Sequence, residues 1–283
     1  MIINFKTMNK LIISFVFLAL IFTSCCDELP VEIPKFTPPE TDKVVLIEEL
    51  TGVRCINCPD GATTIRNIEQ KYEGQVISIA IHAGSLTEPL ETSKYDLRCE
   101  DGINIEKSWS YLGKPAAAID RVVFEAPDIP VSGYTSWQQY VEEEFQKENV
   151  LSIITSTNYD SGSRKLEINV SVIPLIDLAG NYKLNVALTE SHIIDSQTLS
   201  DGSIKNDYEF DNVLRDMITP WDGQSIGSGL KKNDIILKSF SYTLPEDVDL
   251  WKAENIKVVS FVTGGEESDL IPVINASECK IIK

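Results

Sequence analysis

The sequence is poor in positive charge and in histidine. It has no internal repeat and no hydrophobic run long enough to span a membrane. Lys and Arg number 25 against 43 Asp and Glu, which gives a formal net charge of −18. Such a surface repels phosphate backbones and anionic lipids, so we expect neither nucleic-acid binding nor electrostatic membrane attachment. A tetrahedral zinc site needs four ligands, and the chain has 2 histidines and a single Cys-x-x-Cys pair. Zinc binding is therefore a weaker interpretation of this pair than a disulfide. We therefore expect no metal and no cofactor.

The overall composition is that of a globular protein. Hydrophobic residues make up 43% of the chain and charged residues 24%, which excludes collagen-like and fully disordered classes. A length of 283 residues exceeds what one hydrophobic core usually holds and suggests two domains.

The N-terminal segment predicts export and a lipid anchor. Two lysines precede an apolar run at residues 11–22. As a helix this run would measure about 18 Å, too short for a hydrocarbon core of about 30 Å and typical of a secretory signal. Small residues then lead into Cys25, in a pattern that resembles a bacterial lipobox. We predict a signal peptide at 1–24 and a membrane anchor on Cys25; an ordinary signal peptide, or lipidation of Cys26, are the alternatives.

Three further segments follow the predicted signal peptide. Residues 25–42 contain four prolines and few large apolar groups, which indicates a semi-rigid tether. Residues 43–150 alternate strand and helix patterns, whereas residues 151–283 are β-rich. These two segments are predicted to be separate domains.

A Cys-x-x-Cys pair lies in an informative position of the first domain. An apolar strand at 44–47 precedes it, an amphipathic helix follows it, and a second apolar strand is predicted at 76–81. Strand, Cys-x-x-Cys turn, helix and strand form the βαβ context in which such a pair indicates redox chemistry. The amides of the helix N-terminus and the charge of Arg54 favour a thiolate, lowering a thiol pKa from about 8.5 towards 7. Cys55 is then the expected attacking thiol and Cys58 the resolving thiol.

Two alternatives to redox chemistry remain for this pair. A structural disulfide is a serious alternative in an oxidising compartment, although a short closed loop gains little stability by chain entropy. Zinc binding is the other alternative. Two more cysteines, Cys99 and Cys279, lie far apart in the sequence, and we favour free thiols over a bridge between them.

Around the cysteine pair the sequence resembles thioredoxin-like proteins. Glu49 lies six residues before Cys55, where thioredoxins place a buried acid, and the resemblance implies that it accepts a proton during resolution. Lys114-Pro115 precedes an apolar strand at 116–119 and resembles the family's cis-proline loop. The resemblance implies that Pro115 faces the cysteines and that Arg54 and Lys114 border a substrate groove. Arg54 replaces the usual aromatic residue.

The second half predicts an all-β domain. Apolar residues alternate at 166–172, at 184–188 and at 256–262, and a turn signal separates the first of these from a strand at 151–157. Several short strands at this spacing favour an immunoglobulin-like β-sandwich. Residues 201–229 are rich in Gly, Asp and Ser, and we predict a long loop there. The expected fold is therefore an α/β thioredoxin-like domain followed by an all-β sandwich.

The combination of features resembles the Omp28-type outer-membrane lipoproteins. The resemblance rests on the lipobox, on the motif Glu-Glu-x-Thr-Gly-x-x-Cys-x-Asn-Cys-Pro at 48–59, and on Asn-Val-Leu-Arg at 212–215. It implies an outer-membrane location but fixes no activity. We expect thiol–disulfide chemistry in the cell envelope, with protein thiols or disulfides as partners. The alternative is a non-catalytic binding or adhesion lipoprotein that uses the sandwich and its long loop, with a structural disulfide.

Overall fold

The structure is a computed structural model that describes residues 42–125, 128–247, 249–265 and 271–282. The predicted signal peptide, the predicted lipid site at Cys25 and nearly all of the predicted tether lie outside these ranges. Strands make up 45% of the chain and helices are few. Within the described ranges, no helix has the length and apolarity needed to cross a membrane.

The strand, helix and strand predicted around the cysteine pair are present. They are β1 (Val45–Thr51), α1 (Cys58–Lys71) and β2 (Val76–His82). β1 and β2 are parallel and in continuous register, and β1 is buried along its whole length. A strand covered on both faces requires apolar residues at successive positions, which explains the unbroken run that begins β1.

The rest of the first half adds two strands and two helices to the β1–α1–β2 unit. α2 (Glu100–Lys107) precedes β3 (Ala116–Ile119), which pairs antiparallel with β1, and the short β4 (Val131–Ser132) pairs with β3. α3 (Trp137–Glu144) follows Ser136, whose side chain makes no capping hydrogen bond.

The second half is built of strands, as predicted. They are β5 (Leu151–Asp160), β6 (Lys165–Pro174), β7 (Leu178–Glu190), β8 (Ile193–Thr198), β9 (Ile204–Phe210), β10 (Val213–Met217), β11 (Gln224–Leu230), β12 (Ile236–Thr243), β13 (Ile256–Gly265) and β14 (Val273–Lys280).

One sheet joins the two halves of the chain. Its strand order is β14-β13-β7-β10-β2-β1-β3-β4. β11 pairs with residues 178–184, the N-terminal half of β7. The junction is β10 beside β2, where Val213 lies opposite Ala80 and the Ala80 amide donates to the Asn212 carbonyl at 2.8 Å. The sheet therefore runs across the predicted boundary at 150/151, and the division into two domains stays a prediction.

A second sheet packs on the first to form the larger core. Its strand order is β12-β6-β5, and the alternating apolar residues of β6 face those of β7 and β13. The residues that meet there include Leu166, Ile168, Val170, Leu184, Val186 and Val258. The period-two alternation predicted from the sequence is thus the inner face of two packed sheets.

The prediction of a long loop at 201–229 is wrong. This stretch forms β9, β10 and β11. Six of the seven residues of β9 are not buried, and β11 is an edge strand with register shifts near Gly227, whose φ is 140°. Exposed and bulged strands need no apolar alternation, so their sequences read as loop.

A buried ion pair fixes the start of β1. The Lys43 ammonium lies 2.5 Å from an Asp120 carboxylate oxygen and donates to the Ile274 carbonyl at 3.0 Å. The other Asp120 oxygen accepts from the Leu46 amide at 2.9 Å. Both charged side chains are essentially inaccessible, and burial raises the pKa of Asp120 against the opposing effect of Lys43. The pair connects β1, the end of β3 and β14.

Candidate functional site

The two cysteines of the motif form a disulfide at the start of α1. Their Cα atoms are 5.4 Å apart, Cys58 is the first residue of the helix, and Pro59 occupies its first turn. Proline is tolerated there because its missing N–H would have no partner within the helix. The predicted position of the pair is confirmed. Both cysteines are only 2% exposed, however, so neither sulfur is presented on the molecular surface.

The antiparallel ribbon formed by β8 and β9 covers the disulfide. The Gln197 side-chain amide donates to the Cys55 carbonyl at 3.0 Å, and the Thr198 amide donates to the Val53 carbonyl at 2.9 Å. These contacts span more than 140 positions in the sequence. The sequence does not predict that the ribbon covers the disulfide, because β9 lies in the segment 201–229 that was predicted to be a loop.

Asp195 fastens the same ribbon to the segment that precedes α2. Its two carboxylate oxygens accept from the backbone amides of Lys94 and Tyr95 at 2.8 and 2.9 Å. The neighbouring Ser196 hydroxyl donates to the Thr92 carbonyl at 3.0 Å. Hydrogen bonds to a buried carboxylate are among the stronger ones in proteins, so the ribbon is well anchored over the cysteine pair.

Glu49 is a buried carboxyl near the middle of β1. It is 3% exposed, and burial, reinforced by the charge of Glu69, raises its pKa to about 8. Its Oε1 atom is buried without a hydrogen-bond partner among the described residues. Glu49 is consequently protonated at pH 7, and its pKa lies in the range that suits a proton donor and acceptor.

Pro115 lies beside Glu49 and the first turn of α1. The Lys114–Pro115 peptide bond is cis, as the resemblance implied. A Cβ placed on Gly61 would lie 2.9 Å from the Pro115 Cβ and 3.0 Å from Glu49 Oε1. Gly61 therefore permits the close approach of helix, proline and acid, and the structure brings Pro115, Glu49 and the cysteine helix together.

The two predicted groove cations are engaged with loop carbonyls. The Arg54 guanidinium donates to the carbonyls of Glu88 and Pro89 at 2.7 and 2.5 Å. The Lys114 ammonium donates to the carbonyls of Ala83 and of Ser85, and burial lowers its pKa to about 8. Both cations hold the loop that follows β2. A contact with substrate stays a prediction for each.

A cavity of about 310 Å³ opens beside the disulfide. β1, α1 and β2 supply its inner residues, which include Glu49, Cys58, Glu69, Ser78 and His82. The β8–β9 ribbon and the turn after it supply further wall residues, among them Gln197, Tyr208 and Asn212. Cys58 belongs to this wall, whereas Cys55 is not among the described residues that form it.

Comparisons with known proteins identify the family. Residues 103–282 match the family described as outer membrane protein Omp28. The chain belongs to the Omp28 family. The family name points to the outer membrane. No curated protein matches this Omp28-family chain.

Solved structures show a related fold. HBP35 of Porphyromonas gingivalis superposes with a TM-score of 0.64 at 12% identity, over 86% of this chain and 76% of HBP35. At this identity the likeness shows the shared fold alone. A protein of Agrobacterium tumefaciens has a TM-score of 0.48 at 15% identity, over 86% of this chain and 97% of its own.

A polar network of the Omp28-family chain forms the cavity wall next to β10. Asn212 donates to the Ser78 hydroxyl at 2.9 Å and to Glu69 at 3.2 Å, and the Ser78 hydroxyl donates to Glu69 at 2.7 Å. Burial raises the pKa of Glu69. Sequence reasoning missed Glu69 and Ser78, because each is one polar residue on an ordinary helix or strand.

The rest of the Asn-Val-Leu-Arg motif is structural. Val213 and Leu214 are buried, and the Arg215 guanidinium lies 3.4 Å from Glu190 and 5.0 Å from the centre of the Trp251 ring. Arg215 therefore neutralises a buried acid at the end of β7. Within this motif, Asn212 is the residue that reaches the cavity.

The two histidines differ in their surroundings. His82 is buried, neither ring nitrogen has a partner among the described residues, and burial lowers its pKa to about 3. His192 is exposed, with Nδ1 2.5 Å from Glu209 and 3.9 Å from Asp211. His192, Glu209 and Asp211 each have an atom that could bind a metal ion, and these atoms lie within 4.8 Å of one another.

The remaining described cysteines are free, as favoured from the sequence. Cys99 caps the N-terminus of α2, its sulfur accepts from the Gly102 amide at 3.4 Å, and burial raises its pKa to about 11. Cys279 lies in β14, with its sulfur 3.5 Å from the Thr157 hydroxyl. Both thiols are half-buried, and no bridge joins them.

Proposed function

We propose that this Omp28-family protein is a lipid-anchored thiol–disulfide exchange protein of the cell envelope. Residues 43–150 would form a thioredoxin-like unit that carries Cys55 and Cys58, and residues 151–283 an immunoglobulin-like sandwich. The parallel β1–α1–β2 unit, the antiparallel β3 and the cis-proline beside α1 support the first part. The face-to-face sheets support the second.

The observation that carries the proposal is the shared cavity of Cys58 and Glu49. A buried acid with a pKa of about 8 holds its proton at neutral pH and can exchange it with a thiol of similar pKa. In the dithiol form, one thiolate would attack a disulfide RS–SR and release RS⁻. The second thiolate would then break the mixed disulfide, releasing a second RS⁻ and re-forming the Cys55–Cys58 bond. Glu49 would take the proton of the second thiol when it is in its ionised form, which a pKa of about 8 leaves in the minority at pH 7.

The alternative function has an observation in its favour as well. Both cysteines lie beneath the β8–β9 ribbon, which is the environment of a structural disulfide. On that reading the protein is a non-catalytic binding lipoprotein, and the cysteine pair fastens the start of α1 to the loop before it.

Trapping mixed disulfides in native membranes tests the proposal. Cys58→Ser and Cys55→Ser each lack one thiol of the pair, so the variant that keeps the attacking cysteine should accumulate adducts that disappear on reduction. Cys99→Ser is the matched control and should give none. If the double replacement of Cys55 and Cys58 by Ser leaves partner binding and envelope phenotype intact, the structural reading is correct instead.

The anchor is proposed separately on Cys25. The lipobox and the family's outer-membrane name support it. Cys25 would carry the acyl chains, and stable attachment needs two or more of them. Replacing Cys25 by Ala should therefore release the protein from the membrane fraction. Unchanged membrane association in detergent-free extracts would contradict lipid anchoring at this residue.

A further inference from the structure

The cavity reaches one residue of the cysteine pair, Cys58. The ribbon covers Cys55 through the hydrogen bond from Gln197, and both cysteines are almost inaccessible from the surface. Cys58 forms part of the cavity wall. A reactant in this cavity therefore lies beside Cys58, whereas Cys55 lies beneath the ribbon.

The volume of the cavity limits what can enter. At about 310 Å³ it is at the lower end of the range for small-molecule sites, which run from about 300 to 1,000 Å³. A folded protein that presents a disulfide would need the ribbon to move, whereas a small thiol or disulfide would not.

The cavity wall carries more acids than permanent cations. Glu49 and Glu69 both line it, and the charge of Glu69 acts on Glu49. His82, the third titratable group of the inner wall, is neutral at pH 7, because burial lowers its pKa to about 3. An anionic ligand placed here would be repelled by the charge of Glu69, whereas a cation would be attracted by it and would favour ionisation of Glu49.

The charged groups at the mouth do not reverse this preference. Arg66 lies 3.7 Å from Asp211, and both oxygens of Glu278 lie 3.0 Å from Lys257. The remaining charged residues of the wall are Glu209, Glu254 and the exposed Lys280, besides the exposed His192. Acids therefore outnumber Lys and Arg along the whole wall.

Unpartnered buried atoms also line the cavity. Glu49 Oε1 and both ring nitrogens of His82 have no hydrogen-bond partner among the described residues, and both side chains are 3% exposed. Leaving such atoms unpaired is costly, and a ligand that donates hydrogen bonds would satisfy Glu49 Oε1 and the one ring nitrogen of neutral His82 that accepts. An ammonium group supplies three donors, and its positive charge is attracted by Glu69.

We propose that this cavity binds a small thiol or disulfide that carries an ammonium group, and that exchange takes place at Cys58. The exchange step rests on the proposed function, whereas the amine site itself does not. The assignment differs from the expected role of Cys55 as the attacking thiol, because Cys58 is the cysteine that the cavity reaches.

The exchange is balanced as follows. The Cys58 thiolate attacks one sulfur of RS–SR, forming Cys58–S–SR and releasing RS⁻. The Cys55 thiolate then attacks Cys58 Sγ, the intramolecular disulfide forms, and a second RS⁻ leaves. The dithiol is oxidised by two electrons and RS–SR is reduced by two, while Glu49 and solvent take up and return the protons.

A binding experiment tests the amine site without any redox step. The probe is 1,6-diaminohexane, an unreactive analogue of cystamine, titrated calorimetrically into the oxidised full-length protein in detergent. Binding should weaken about tenfold in Glu69→Gln, the change expected from one partly buried charge pair, and should be unchanged in the exposed control Glu246→Gln. Hexanedioic acid should not bind. Absence of diamine binding, or equal binding of the diacid, overturns the amine site.

A rate experiment tests the reacting atom. The reduced protein is oxidised by cystamine, by bis(2-hydroxyethyl) disulfide and by dithiodiglycolate, and each rate is divided by that of free dithiothreitol. The normalised rate with cystamine should exceed that with the dicarboxylate about tenfold, and Cys55→Ser should form the cysteamine adduct faster than Cys58→Ser.

The two experiments separate the two proposals. Equal normalised rates, or a faster adduct on Cys55, overturn the amine site and the role of Cys58 while leaving thiol–disulfide exchange supported. Diamine binding without exchange of any disulfide overturns the proposed function and supports the amine site.

Discussion

Replacing Glu49 by Gln is expected to stabilise the oxidised protein at neutral pH. When folding raises the pKa of an acid, the folded protein loses stability as the pH rises above the pKa that the acid has in the unfolded chain. The reason is that the unfolded chain ionises first. For Glu49 this loss begins near pH 4.5 and continues to about pH 8. It amounts to about 3 kcal/mol at pH 7. Gln is isosteric with the protonated carboxyl and cannot ionise, so the variant avoids the loss.

Urea unfolding followed by tryptophan fluorescence measures the difference. The oxidised protein is used, so that the Cys55–Cys58 thiols do not titrate. Wild type and Glu49→Gln should be about equally stable at pH 4 and should diverge as the pH rises to 8, with the variant more stable. The exposed control Glu246→Gln should follow wild type. A variant less stable than wild type at pH 7, or one with the same pH dependence, would refute the assignment of a buried, protonated carboxyl.

Three further substitutions test other parts of the structure. Asp120→Asn removes the carboxylate that lies 2.5 Å from the buried Lys43 ammonium and should lower the free energy of unfolding by about 3 kcal/mol, measured in urea. Gly61→Ala should lower the free energy of unfolding by about 1–3 kcal/mol in the same assay, because the added Cβ would lie 2.9 Å from the Cβ of Pro115. Gln197→Ala removes the hydrogen bond to the Cys-x-x-Cys turn, and glutathione should then reduce the disulfide about fivefold faster in a thiol-alkylation assay. Unchanged values in any of these assays would contradict the contact concerned.

The local part of the site was predictable from the sequence. An apolar run, a Cys-x-x-Cys turn and an amphipathic helix are contiguous, and their signals depend on neighbours a few positions apart. The same is true of the alternating strands β6, β7 and β13. Glu49 and Pro115 came from a resemblance to thioredoxin-like proteins, and the structure places both beside the cysteine helix.

The cover and the cavity were not predictable from these signals. In the β8–β9 ribbon, β9 is mostly exposed and β8 buries the polar residues Asp195, Ser196 and Gln197, so the ribbon carries no apolar alternation. Its contact with the cysteine turn joins Gln197 to Cys55, 142 positions apart. The cavity wall likewise joins Asn212 to Glu69 across 143 positions. Pairing over such distances is set by tertiary packing, which local propensity does not encode.

A redox titration of Cys55–Cys58 tests the central claim most directly. The full-length protein is equilibrated in dithiothreitol buffers of graded potential, and the fraction of free Cys55 and Cys58 is measured by alkylation and peptide mass. The account predicts a reversible two-electron transition with a midpoint above about −300 mV, the range of catalytic disulfides. A midpoint below that value, or a pair that stays oxidised until the protein unfolds, would show a structural disulfide and contradict the account.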